Sequence, residues 1–216
     1  MESITMKFDN IVVLNSNEIL AKDSNLDLNF NTLFQMPTKY VGQAIAMSRV
    51  FQDAINGDDL EFNFDKAIGL VKQHPEMAII GTINQSIVKQ NNQVSAMVDD
   101  VMKLLDTVVG VVLDKESPTY KKFANTIEQG FTNLDAQKES KWIFWNKESE
   151  SKTTYTYNIL FAIANQDTGS VMAAAPIGLT ITVDVDKQQV LWITTKDKHN
   201  YSVNVKSITV VEALKS

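Results

Sequence analysis

Two hydrophobic periods divide the chain. Up to about Lys141, apolar residues recur at helical spacing, and beyond it they fall on every second position. After a short strand expected at Ile11–Leu14, residues 15–36 read as irregular chain ending at Met36-Pro37. With Thr38 as N-cap, Val41, Ala44, Ile45, Ser48, Phe51 and Ile55 form one helical stripe that Asn56-Gly57 ends. A shorter helix follows Asn63, with Phe64, Ala67, Ile68 and Val71 on one side and Pro75 closing it. A strand is expected at Ile79–Val88. The most apolar helix comes next, on Val94, Met97, Val98, Val101, Leu105, Val108 and Val112. Ser117-Pro118 supplies an N-cap and a first-turn proline for a helix carrying Tyr120, Phe123, Ala124, Ile127, Phe131 and Leu134.

The period-2 region is the more informative. Tyr155, Tyr157, Ile159, Phe161 and Ile163 alternate with Thr154, Thr156, Asn158, Ala162 and Ala164. Ile177, Leu179, Ile181, Val183 and Val185 alternate with Gly178, Thr180, Thr182, Asp184 and Asp186, and the turn residues Gln166-Asp167-Thr168-Gly169 would pair the two segments. Further strands are expected at Val190–Thr195 and Tyr201–Val211. In the last, apolar parity shifts from Val203 and Val205 to Ile208 and Val210, suggesting a bulge near Ser207. Helices first and strands last predict an α+β fold with an antiparallel sheet. The prolines Pro37, Pro75, Pro118 and Pro176 are expected between elements or near their ends.

Charge removes several function classes. The 26 acidic residues exceed the 20 basic ones, only Arg49 is an arginine, and a net charge of −6 is a poor basis for holding phosphates, so nucleic acid is excluded as a partner. Without a polybasic patch, any lipid affinity has to come from apolar burial. The longest dense apolar stretch, Val108–Leu113, is far short of the roughly 18 residues of a spanning helix, and Met1–Asn10 shows no standard signal peptide. The chain is expected to fold in solution as one domain.

Catalytic chemistry finds no support. Cys is absent, and the histidines His74 and His199 stand in no metal-ligand or nucleophile spacing. No phosphate-cradling glycine cluster occurs, and no cofactor is implied. Asp184 and Asp186 share a strand face but lack the rest of a calcium loop, so they read as a solvated strand end. The alternating strands have two readings: ordinary sheet faces packed under helices, or strands of the roughly 9 to 11 residues that cross a bilayer. Both can hold in succession.

Several segments carry a resemblance: Asn91-Asn92-Gln93-Val94-Ser95, Phe131-Thr132-Asn133-Leu134 with Gln137-Lys138, Trp142-Ile143-Phe144-Trp145 with Lys147-Glu148, and Thr154 through Ile163. Gly81-Thr82-Ile83-Asn84-Gln85-Ser86, Thr168-Gly169, Val171-Met172, and Val183-Asp184-Val185 with Lys187-Gln188-Gln189 keep the same order. From about Tyr40 to Leu214 the chain resembles the Cyt cytolytic δ-endotoxins, insecticidal proteins of spore-forming bacteria. The resemblance implies a single three-layer domain, a central antiparallel sheet wrapped by layers of helical hairpins. On it, residues 1–38 read as an N-terminal segment and candidate propeptide, and residues 39–216 as the cytolytic core.

It also implies activity without catalysis: direct binding to the phospholipids of target cells, self-association on the membrane, and permeabilisation by pores or by bilayer disruption. A soluble dimer stays open. The protein would be made soluble or stored in inclusions and released to act extracellularly. The inserting faces implied are Tyr155, Tyr157, Ile159, Phe161 and Ile163 with Ile177, Leu179, Ile181, Val183 and Val185. Lys147, Glu148, Lys187 and Trp192 are candidate membrane or oligomer contacts, and Trp142 and Trp145 are open to an interfacial or a core role. With only Lys215 and Ser216 after Leu214, activation is expected to need at most N-terminal trimming. Ala175 stands where the family has a cysteine, so no disulfide can link packed copies. The alternative is a non-lytic lipid- or glycan-binding module on the same fold.

Overall fold

The computed structural model describes residues 11–12, 29–110, 113–165 and 170–215. The expected turn at 166–169, Val112 and most of the first 28 residues lie outside these. The strands are β1 (Ile11–Val12), β2 (Asn31–Gln35), β3 (Met77–Gln93), β4 (Ile143–Glu148), β5 (Thr153–Asn165), β6 (Val171–Val183) and β7 (Lys198–Ala213). The helices are α1 (Val41–Gln52), α2 (Phe64–Lys72), α3 (Val94–Val109), α4 (Pro118–Gln129), α5 (Leu134–Gln137) and α6 (Lys187–Leu191).

Local chemistry sets several of the boundaries. Asn63 caps α2 by accepting the Lys66 N–H at 2.9 Å, and Ser117 caps α4 by accepting that of Tyr120 at 3.2 Å. Thr38 does not cap α1: it lies in a 3-10 turn, Thr38–Tyr40, ahead of the helix.

One seven-stranded sheet runs β1-β2-β5-β6-β7-β3, with β4 also on β5. The neighbours are antiparallel except β2, which runs parallel to β5, so the sheet is mixed. The segment read as irregular therefore contains a core strand, with Phe34 fully buried. Its sequence, Asn-Thr-Leu-Phe-Gln, is too short to show a period.

Two cores lie on opposite faces of the sheet. On one, α3, α4 and Leu134 of α5 cover Tyr155, Tyr157, Ile159, Phe161, Ile177, Leu179, Ile181, Val203 and Val205. On the other, α1 and α2 cover Leu160, Ala162, Ala164, Met172, Ala174, Ile208 and Val210. This is the three-layer α+β architecture, a single domain about one sheet.

The parity shift in β7 has a different cause from the one expected. Its register with β6 is continuous, so odd residues face the α3 side throughout and even residues the opposite side, where α1 and α2 cover Ile208 and Val210. The strand passes from burying one face to burying the other. A bulge exists instead in the partner strand β3, between Ile79 and Gly81. Pro176 is also displaced from expectation, lying inside β6. There the pairing with β7 skips Ala175 and Pro176, and the Ser207 hydroxyl donates to the Pro176 carbonyl at 2.9 Å. Nor is Val190–Thr195 a strand: Asp186 accepts the Gln189 N–H at 2.9 Å and starts the short helix α6.

Candidate functional site

Register turns the alternation of single strands into rows. Tyr155, Ile181, Val203 and Ile87 stand side by side across β5, β6, β7 and β3, and the neighbouring row is Thr156, Thr180, Asn204 and Ser86. The next pair of rows is Tyr157, Leu179, Val205 and Gln85, and Thr154, Thr182, Ser202 and Val88. In β5, β6 and β7 these odd rows are apolar and lie under α3 and α4. Even rows at this end are hydroxyl- and amide-rich, and no helix of the second layer buries them as it does Leu160 and Ala162. Thr154 and Thr182 hydroxyls lie 2.9 Å apart, and Asn204 donates to Ser86 at 3.1 Å.

All the candidate inserting residues lie on the α3 side. Tyr155, Tyr157, Ile159, Phe161, Ile177, Leu179, Ile181 and Val183 are buried there, while Ile163 and Val185 are partly buried against the same core. Val185 lies just past the end of β6. The tyrosines have specific partners: Tyr155 donates to the Gly130 carbonyl at 2.7 Å, and Tyr157 donates to Gln137 and accepts from Asn31 at 2.9 Å. Burial raises both phenols above their ordinary pKa, and it raises that of Tyr201 beside them.

The candidate contacts gather where β4 finishes, β5 begins and α6 starts. Lys187 Nζ lies 2.7 Å from Glu148 Oε1 and 4.8 Å from the centre of the Trp145 ring. Trp145 in turn rests on Tyr155, 5.2 Å between ring centres. Lys147 is exposed on β4, and Trp192, at the C-terminal end of α6, is 68% exposed. Beside it an open groove of about 610 Å³ is lined by Asp186, Gln189, Trp192, Asp197 and His199. Trp142 is 5% exposed and belongs to the core. Nothing in the sequence pattern signals the Lys187–Trp145 contact, because it joins residues far apart in the chain.

The two histidines have structural partners. His199 lies 3.6 Å from Asp184, which accepts both the backbone and side-chain N–H of Asn200. His74 is exposed beside Glu76 at 3.3 Å. Among the described residues no acidic or histidine cluster could hold a metal ion, and no helix is long and apolar enough to cross a membrane.

This architecture and these segments have counterparts in known proteins. A family model described as Bacillus thuringiensis toxin matches residues 11–216. The chain belongs to that family. The type-2Aa cytolytic delta-endotoxin of Bacillus thuringiensis subsp. kyushuensis is 44% identical over 198 residues, 92% of this chain and 76% of its own length. The type-2Ba toxin of subsp. israelensis is 42% identical over 188 residues, covering 87% and 71%. Among solved structures, a delta-endotoxin superposes with a TM-score of 0.83 at 43% identity, over 88% of this chain and 83% of that one. The activated Cyt2Ba monomer from subsp. israelensis gives 0.79 at 42% identity, over 87% and 100%. The family is one of cytolytic toxins and not of enzymes, and this toxin-family chain has the same fold.

Proposed function

We propose that the protein is a cytolytic toxin that binds phospholipid directly, self-associates on the bilayer and permeabilises it with the strands β5, β6, β7 and β3. The carrying observation is the cross-strand registration of apolar and polar rows. A sheet with one mainly apolar face and one mainly polar face suits a boundary between hydrocarbon and water. At about 3.3 Å per residue, a 13-residue strand such as β5 or β6 extends about 43 Å, more than a hydrocarbon core of about 30 Å.

In water the apolar face needs α3 and α4. Each large apolar side chain exposed would forfeit roughly 1.5–3 kcal/mol, so the helices leave only where lipid replaces them. Soluble and inserted forms are then two packings of one sequence. Lys147, Glu148, Lys187 and Trp192 stand at the end of the sheet proposed to meet the bilayer first, with Trp192 as the interfacial anchor.

The test is calcein release from phosphatidylcholine vesicles containing no protein, with intact chain and chain briefly trimmed by protease. Release supports direct permeabilisation, and faster release after trimming supports a propeptide role for the N-terminal segment. Binding without release from either form would favour the non-lytic binding module.

A further inference from the structure

The two long edges of the strand set β5-β6-β7-β3 are unequal. The outer edge of β3 pairs with no strand among the described residues. It runs Met77–Gln93 without proline and with Lys89 as its one charge. Between the irregularities at Ile79/Gly81 and Lys89/Asn92, it keeps unbroken register with β7. Ile80 and Val88 are exposed at 39% and 69%. It therefore lacks the charges, prolines and central bulges that usually protect an edge from pairing. The β5 edge is covered along its length instead, by β4 on Thr153–Tyr157 and by β2 on Ile159–Ile163. At the join, the Asn158 N–H donates to the Trp142 carbonyl at 3.0 Å.

We infer that β3 of one copy pairs with β5 of the next in the membrane assembly, and that β4 and β2 are caps that keep the β5 edge closed until then. This rests on the permeabilising function proposed above. β5, β6, β7 and β3 alternate in direction, so the two outer strands run opposite ways. Copies entering a bilayer from one side share one orientation. An antiparallel β3-to-β3 join would turn one copy upside down and a parallel one would turn its apolar face away from the lipid, whereas a β3-to-β5 join keeps every copy upright and every pair antiparallel. The join is head-to-tail, able to close into a ring with no free edge, as backbone in hydrocarbon requires. In solution the open β3 edge meets only capped β5 edges and cannot propagate.

The caps are built to leave. β2 holds β5 by a five-residue parallel pairing, and parallel pairs are slightly weaker per residue. β4 holds by five residue pairs broken by a bulge between Trp145 and Lys147. At the turn that joins it to β5, the Ser149 N–H and hydroxyl donate to the Lys152 carbonyl at 2.9 Å, and Lys187 contacts Glu148.

The chain contains no cysteine, so introduced thiols are unique. Lys147 and Thr154 are direct cross-strand partners, and K147C/T154C would bolt β4 to β5. We expect the oxidised variant to bind vesicles but release calcein at least about tenfold more slowly than the same protein with its disulfide reduced. In parallel, single cysteines at Asn84, Ser86 or Val88 are mixed with single cysteines at Thr154 or Thr156. On vesicles, disulfide dimers should form in the mixtures and not from β3 variants alone. Full release from the oxidised bolt, or cross-links between two β3 cysteines, would overturn the pairing and leave permeabilisation standing. No release from wild-type protein would overturn both.

Discussion

The side-chain amide of Gln43 joins α1 to the last turn of β7, with Nε2 2.6 Å from the buried Glu212 Oε1. The same nitrogen donates to the Ala213 carbonyl at 2.8 Å, and Gln43 Oε1 accepts the Lys215 N–H at 2.9 Å. One side chain thus satisfies the end of a central strand and clamps the α1–α2 layer over it.

Replacing that side chain should unfasten the layer. Gln43→Ala leaves a carboxylate 3% exposed with Lys215 beside it, 3.1 Å away, and strands a carbonyl. The expected cost is about 1–3 kcal/mol, read as a lower urea midpoint. An unchanged midpoint would show that water replaces the amide.

Gly178 tests the loop between α1 and α2. A Cβ there would lie 2.7 Å from Cβ of Phe62, which is buried, while beside it Asn158 donates to the Leu60 carbonyl at 2.7 Å. Gly178→Ala should therefore destabilise by about 1–3 kcal/mol through overpacking, measured by urea unfolding. A neutral result would mean that the loop moves freely off the sheet.

Lys187 should behave otherwise. Its contact with Glu148 is exposed, so Lys187→Gln is expected to change stability by less than about 1 kcal/mol. If the contact holds β4 on β5, calcein release should accelerate while the urea midpoint stays put. Slower release would instead make Lys187 a lipid or oligomer contact.

Much of this was legible in the sequence, and the failures share a cause. Helices α2, α3 and α4 declared themselves because each buries one stripe and carries its cap or breaker nearby. Strands β5 and β7 were readable where only one face is apolar. Where both faces are covered, as at Met172–Ile177, alternation vanishes and the first half of β6 went unseen. The β7 parity shift was a change in which helix layer lies above the strand, information absent from any local window. Strand β2 is legible only through its parallel partner, and the candidate contacts are brought together by α6, whose last two residues begin a strand-like Val190-Leu191-Trp192-Ile193 run. The apolar face proposed to insert needed no partner information, since its period was complete within each strand.

Alkaline pH should loosen the α3–α4 side. Burial and a hydrogen bond to Asp106 raise the Tyr120 pKa from 10.0 to about 12, and burial raises those of Tyr155, Tyr157 and Tyr201. Above the unfolded value of 10.0, the unfolded chain releases these protons and the folded one keeps them. Stability from this source is whole below that pH and is lost as the pH rises toward about 12. Urea midpoints from pH about 9 to about 12 should fall, and Tyr120→Phe should make the fall shallower. A flat profile would show that these phenols ionise without opening the layer.

The most direct measurement is a dye scan along β6 in the membrane-bound state, with an environment-sensitive fluorophore on single cysteines at Thr180, Ile181, Thr182 and Val183. The sheet account predicts alternation: Ile181 and Val183 quenched by a nitroxide on the lipid chains, Thr180 and Thr182 by a quencher in water. Uniform aqueous quenching at all of these positions, in protein that has released the vesicle contents, would contradict it.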